Sequence, residues 1–152
     1  MEIGHDAAMA FDDLPENFTD LPITTPGLAP DLVDLFFRIG DRMSDSLLLV
    51  AALEDGCVPE GMGPIVIGGI DWRCPLWKRE QVLGHIAQLG IPKVIAAFGS
   101  GRWIAPHLLR QWRDITVDAF AASRTELVGI YVANVEEVLD ISSGPMPVLR
   151  AA

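Results

Sequence analysis

The chain has 152 residues, 50% of them hydrophobic and 21% charged, with a formal net charge of −10. That length suits one hydrophobic core, and the apolar fraction is high enough to offset the ordering entropy that keeps polar chains unfolded. The longest clean apolar run, Leu47–Leu53, falls well short of the ~20 residues that span a bilayer, and Met1–Asp6 has neither region of a secretory leader, so the expectation is a cytoplasmic, non-membrane protein.

The charge is uneven. Residues 1–60 hold 13 Asp/Glu against 2 Arg, whereas residues 71–124 hold 8 Lys/Arg against 4 Asp/Glu. Such polarity fits an acidic arm folded over the protein's own basic surface, or two surfaces meant for different partners. Pro15, Pro22, Pro26 and Pro30, with scattered acids and no helical or strand period, predict an extended arm over 1–29. Its acids Asp12, Asp13, Glu16 and Asp20 make it either a solvated tail or a segment that docks on a basic surface.

Pro30 and Asp31 open a helix, and Leu32, Val33, Phe36, Phe37, Ile39 and Met43 carry its apolar stripe to about Met43. Ser44-Asp45-Ser46 breaks it. The run Leu47–Leu53 reads as a buried strand, and 64–70 as a second strand, antiparallel to the first because the loop between them is too short for a crossover helix. Pro75 opens a second helix with Val82, Leu83, Ile86 and Leu89 on one face, stopped by Gly90-Ile91-Pro92.

Val94–Phe98 is a third strand and Gly99-Ser100-Gly101 a tight turn. Ile104, Leu108, Leu109, Trp112, Ile115, Ala119 and Phe120 then form the stripe of a long third helix. Leu127–Val132 closes a βαβ unit as a fourth strand, apolar on both parities and therefore covered on both faces. Asn134 followed by Glu137 has the spacing of a helix cap and predicts a short last helix to about Ile141, with 142–152 as a tail. The fold class is α/β (or α+β): one domain over 30–141, a small mixed four-stranded sheet flanked by helices, in the order α-β-β-α-β-α-β-(α).

Three constellations carry chemistry. Gly99-Ser100-Gly101-Arg102 lies between a strand and a helix start, where backbone N–H groups and the helix dipole favour an anion; it lacks the third glycine of a dinucleotide fingerprint and the Lys of a P-loop. Asp71-Trp72-Arg73-Cys74 follows the second strand, where a Cys near His85 or His107 could be a nucleophile. Against this, each histidine borders the apolar stripe of its helix, which suits a partly buried packing role. Trp72, Trp77, Trp103 and Trp112 each have a basic neighbour, a pattern that stacking on bases would use, but Trp112 fits the buried stripe and the chain is acidic overall. Nucleic acid is therefore disfavoured.

Cys57 and Cys74 form no CxxC pair and read as free thiols, buried or partly so. His5, His85 and His107 share no metal-ligand spacing, so neither a metal nor a cofactor is expected. Phe36, Phe37 and Trp103 are expected as exposed apolar groups that would suit a homodimer.

Asp45-Ser46-Leu47-Leu48-Leu49-Val50 and Gly129-Ile130-Tyr131-Val132-Ala133-Asn134 resemble motifs of a group of bacterial, chiefly actinobacterial, α/β domains of unknown function. The likeness spans Asp45–Ile141. It implies the same element order and carries no active site to transfer.

Two functional expectations follow. The first is a non-catalytic binding or regulatory protein acting through contacts with another protein or itself, because no pair of groups demands a reaction. The second is a sensor or enzyme for a phosphate- or carboxylate-bearing small molecule, seated at the strand ends on Asp71, Arg73, Gly99, Ser100, Gly101 and Arg102.

Overall fold

A computed structural model describes residues 20–59, 61, 63–101 and 104–147. The acids of the arm before Asp20, together with Arg102 and Trp103, lie outside the described residues. The elements run α1 (Leu28–Phe36), α2 (Ile39–Arg42), β1 (Ser46–Ala52), β2 (Ile65–Ile67), α3 (Leu76–Ala87), β3 (Lys93–Gly99), α4 (Pro106–Ala121), β4 (Glu126–Ala133) and β5 (Val138–Asp140).

The strands form one mixed sheet in the order β2-β1-β3-β4-β5. Only β3 and β4 are parallel; β1 pairs antiparallel with both β2 and β3, and β5 antiparallel with β4. The hairpin of the first two strands and the parallel βαβ unit are therefore as expected.

The unbroken apolar runs of β1 and β3 follow from burial on both sides, since successive side chains of a strand point to opposite faces. Leu47 and Leu49 join Val94, Ala96 and Phe98 beneath α3 and α4. Leu48, Val50 and Ala52 join Ile95, Ala97 and Tyr131 beneath α1. The sheet is the middle of three layers.

Two parts of the expected fold are corrected. The sheet has five strands, not four, because the short last helix is instead a hairpin ending in β5. Asn134 does act as the sequence signal suggested: its Oδ1 accepts the N–H groups of Glu136 and Glu137 at 2.9 and 2.8 Å. Its own N–H donates to the Glu137 carbonyl at 3.0 Å, which closes a turn and sends Val138–Asp140 back along β4. An Asn side chain that caps a helix equally closes a turn, and here pairing with β4 decides between them.

The first helix is also not continuous to Met43. It stops at Phe36, Arg38 is extended, and α2 starts afresh at Ile39. The cause is Arg42, only 1% exposed. Its Nε donates to the Phe37 carbonyl at 2.6 Å, and its Nη2 to the Asp34 carbonyl and carboxylate at 2.9 and 2.8 Å. Carbonyls at a helix end that would otherwise need amides of a further turn are thus met by a guanidinium. Nη1 reaches the Asn134 carbonyl at 3.1 Å, joining this corner to the β4–β5 turn. Phe37, expected on the surface, lies fully buried against the sheet with Arg42 over its ring.

Of the expected arm, the described part from Asp20 packs on the domain: Ile23 is buried and its N–H donates to the Gly56 carbonyl at 2.7 Å. Of the expected tail, Met146 returns to the core beneath the helices.

Replacing Arg42 by Met removes a buried cation and strands the Asp34 carboxylate, so the expected loss is about 3–5 kcal/mol, read by urea denaturation as a lower midpoint. Tyr131 is the single tyrosine, and burial, with Asp140 nearby, pushes its phenol up to about 12. Its protonated form is favoured in the folded state, so the stability it contributes is full below about pH 10 and is lost as pH rises from there through 12. Phenolate absorbance should titrate near 12 in the native protein and near 10 in denaturant.

Candidate functional site

At the end of the sheet where parallel strands β3 and β4 finish lies a cleft of about 310 Å³, lined by Ser44, Asp45, Gly69, Ile70, Asp71, Trp72, Arg73, Ser100, Ile104 and Leu108. Such strand ends are where ligands of α/β sheets commonly sit. Asp71, Arg73 and Ser100, singled out from the sequence, converge here from different segments of the chain. Gly99 and Gly101 do not line the cleft, and Arg102 lies outside the described residues.

The node of the cleft is Asp45, between α2 and β1. It is the single non-glycine residue with positive φ among those described, at 51°, a conformation that Asp tolerates better than most residues. Its carbonyl accepts the Ile70 N–H at 2.9 Å. Its carboxylate Oδ1 accepts the Trp72 indole N–H at 3.2 Å and the Ser100 hydroxyl. One residue thereby joins the start of β1, the loop after β2 and the turn after β3. From the sequence alone Ser44-Asp45-Ser46 is legible only as a helix break, and this role of Asp45 is not. The sole signal was an Asp at a helix-to-strand junction, where a left-handed residue is often needed.

The wall made by 71–74 is held rigidly. Asp71 Oδ1 accepts the Arg73 N–H at 3.1 Å and the Asp71 carbonyl accepts the Cys74 N–H at 3.0 Å, a tight turn that leaves the Arg73 side chain exposed at the mouth. Trp72 is buried edge-on against Phe98 and Trp112, with ring centroids 5.4 and 5.1 Å away. The Trp112 indole N–H donates to the Trp72 carbonyl at 2.8 Å. Arg79 is also buried; it donates to the Cys74 carbonyl and to Gln111 Oε1, each at 2.8 Å, and lies over the Trp112 ring. These contacts answer the expected interleaving of aromatic and basic residues: Trp72 and Trp112 are core, and the cation that matters to them is Arg79, not a sequence neighbour.

The turn after β3 has small residues for a packing reason. A Cβ on Gly99 would stand 2.6 Å from the Phe37 ring and 2.9 Å from the Arg42 backbone, and one on Gly101 would stand 2.8 Å from the Met43 carbonyl oxygen. Both glycines therefore admit the α1–α2 corner. Moreover α4 begins only at Pro106, and its N-cap residue Ala105 makes no side-chain cap bond, so the glycine turn is not itself the start of the helix.

The nucleophile reading finds its parts apart. Cys74 is buried in the core, while His85 and His107 are exposed rather than partly buried beside their stripes. No hydrogen bond joins the thiol to either imidazole among the described residues. Nor, among those residues, do three of His, Cys, Asp and Glu gather closely enough to hold a metal ion. Cys57, the other thiol, is half-buried and donates to the Asp20 carbonyl at 3.5 Å. Among the described residues no helix is long and apolar enough to cross a membrane.

Comparison with family models, curated proteins and solved structures gives no match.

Proposed function

We propose that the domain is a binding protein that holds a small polar molecule in the strand-end cleft. The observation that supports this most is convergence: three separate segments of the chain, Ser44 and Asp45, the loop Gly69–Arg73, and Ser100, Ile104 and Leu108 around the start of α4, line one concavity. A concave, partly apolar surface with a few fixed polar groups is the usual form of a small-molecule site. The rigid support of its walls favours binding by a preformed shape over closure around the ligand.

A bound ligand stabilises the folded state by RT ln(1 + [L]/Kd), about 2.7 kcal/mol at a hundredfold excess over Kd. Thermal unfolding across a broad panel of amino acids, nucleotides and organic acids should therefore give a raised Tm for some member. Ser44 is exposed and lines the cleft, so Ser44→Trp should fill the space, leave the unliganded Tm nearly unchanged and abolish that rise. A panel with no stabilising member, or a rise that survives Ser44→Trp, counts against the cleft.

A second reading, contact with another copy of the chain, is favoured by one observation. Leu76 and Trp77, adjacent at the start of α3, are 55% and 64% exposed, an arrangement more costly in water than scattered single apolar residues. If these side chains pair two copies, sedimentation velocity should show a dimer that Trp77→Glu converts to monomer; a wild-type monomer at high concentration removes the reading.

A further inference from the structure

Within the cleft the polar groups are not equivalent. Asp45 is half-buried. One oxygen of its carboxylate, Oδ1, accepts both Trp72 and Ser100, while Oδ2 accepts no hydrogen bond among the described residues. Nor does Asp45 have an ion pair there, in contrast to Asp34, Glu126 and Asp114, each of which meets a cation. A carboxylate has room for about four donors, so Oδ2 has capacity for a donor that the described residues do not supply. The cleft is also lined by the apolar Ile70, Trp72, Ile104 and Leu108. At the mouth the Arg73 guanidinium is exposed, and among the described residues it has neither a hydrogen bond nor a salt bridge from its side chain.

We infer that the cleft takes a zwitterionic ligand lengthwise, its ammonium group on Asp45, an apolar body against Trp72, Ile104 and Leu108, and a carboxylate or phosphate outward at Arg73. The inference rests on the cleft being a ligand site, and goes beyond it by assigning a charged group of the ligand to each of two residues. An anion alone would meet the Asp45 carboxylate, a like charge that repels it. An ammonium supplies the donors that Oδ2 lacks, and charge-assisted bonds of that kind are among the stronger ones available. Arg73, at an exposed mouth, adds less because water and salt screen it.

Three compounds sharing one carbon chain separate the poles: ε-aminocaproate, hexylamine and caproate. The indole N–H of Trp72 sits on the same carboxylate, so its resonance in the nitrogen–proton NMR spectrum, assigned by Trp72→Phe, reports occupancy directly. At millimolar concentrations ε-aminocaproate and hexylamine should move that resonance and caproate should not. Asp45→Asn keeps an Oδ1 acceptor for Trp72 and Ser100, and Asn accepts the left-handed conformation. It should weaken both amines by about tenfold or more, whereas Arg73→Gln should weaken ε-aminocaproate alone.

Caproate binding as tightly as hexylamine would overturn the orientation while leaving the cleft a ligand site. So would amine binding that Asp45→Asn leaves unchanged. Silence from all three compounds overturns the inference too, and the metabolite panel with Ser44→Trp then judges the cleft separately. Should Asp45→Asn fail to fold, the ranking of the three compounds on the wild-type protein, with Arg73→Gln, decides alone.

Discussion

The buried guanidinium of Arg42 is the contact on which the cleft side of the molecule is assembled. It ends α1 by taking the carbonyls of Asp34 and Phe37, forces the extended step at Arg38, and ties the corner to the β4–β5 turn through Asn134. A guanidinium can do this because it presents five donors in a fixed fork and keeps its charge, and Asp34 supplies the counter-charge at 2.8 Å. The same corner packs on Gly99 and Gly101 so closely that neither could carry a side chain without displacement. It delivers the chain to Asp45 in the left-handed conformation from which β1 departs.

From Asp45 the constraint passes to the cleft wall. The Trp72 indole is held at both ends, by Asp45 through its N–H and by Phe98 and Trp112 through its faces and edge, while Trp112 and Arg79 hold the backbone of the same loop. Buried polar groups in this set have partners, which is the condition under which a polar network rigidifies rather than weakens a core. Exposed groups at the mouth are therefore carried on a wall that the core itself positions. On the function proposed above, a site so built would change little on binding, with selectivity set by the placement of a few charges rather than by closure.

How much of this was legible differed by element. The strands β1, β3 and β4 were plain in the sequence because runs such as Leu47–Ala52 and Val94–Phe98 are apolar at both parities, which a strand buried on two faces requires. The stop at Gly90 was plain as well, and that residue has φ 77°. The break after Phe36 was not, since the apolar spacing continues through Ile39 and Met43 and nothing local marks Arg42 as buried. Likewise Asn134 gave the right hydrogen bonds and the wrong element. Of the cleft, Asp71, Arg73 and Ser100 were found from their places after strands, whereas Asp45, Trp72 as a fixed wall, and Arg79 were not.

The sequence by itself determined the layered α/β character, the hairpin of the first two strands, the parallel βαβ unit and the apolar faces, because each of these follows from periodicity and from Gly and Pro acting within a few residues. Tertiary structure alone decided where α1 ends, whether the chain after Asn134 forms helix or strand, and which polar groups meet in the cleft. Those outcomes depend on partners distant in sequence: Arg42 with Asn134, Val138–Asp140 with β4, and Asp45 with Trp72 and Ser100. A residue's local preference is worth tenths of a kcal/mol to about one, and a buried charge or an unpaired strand edge outweighs it.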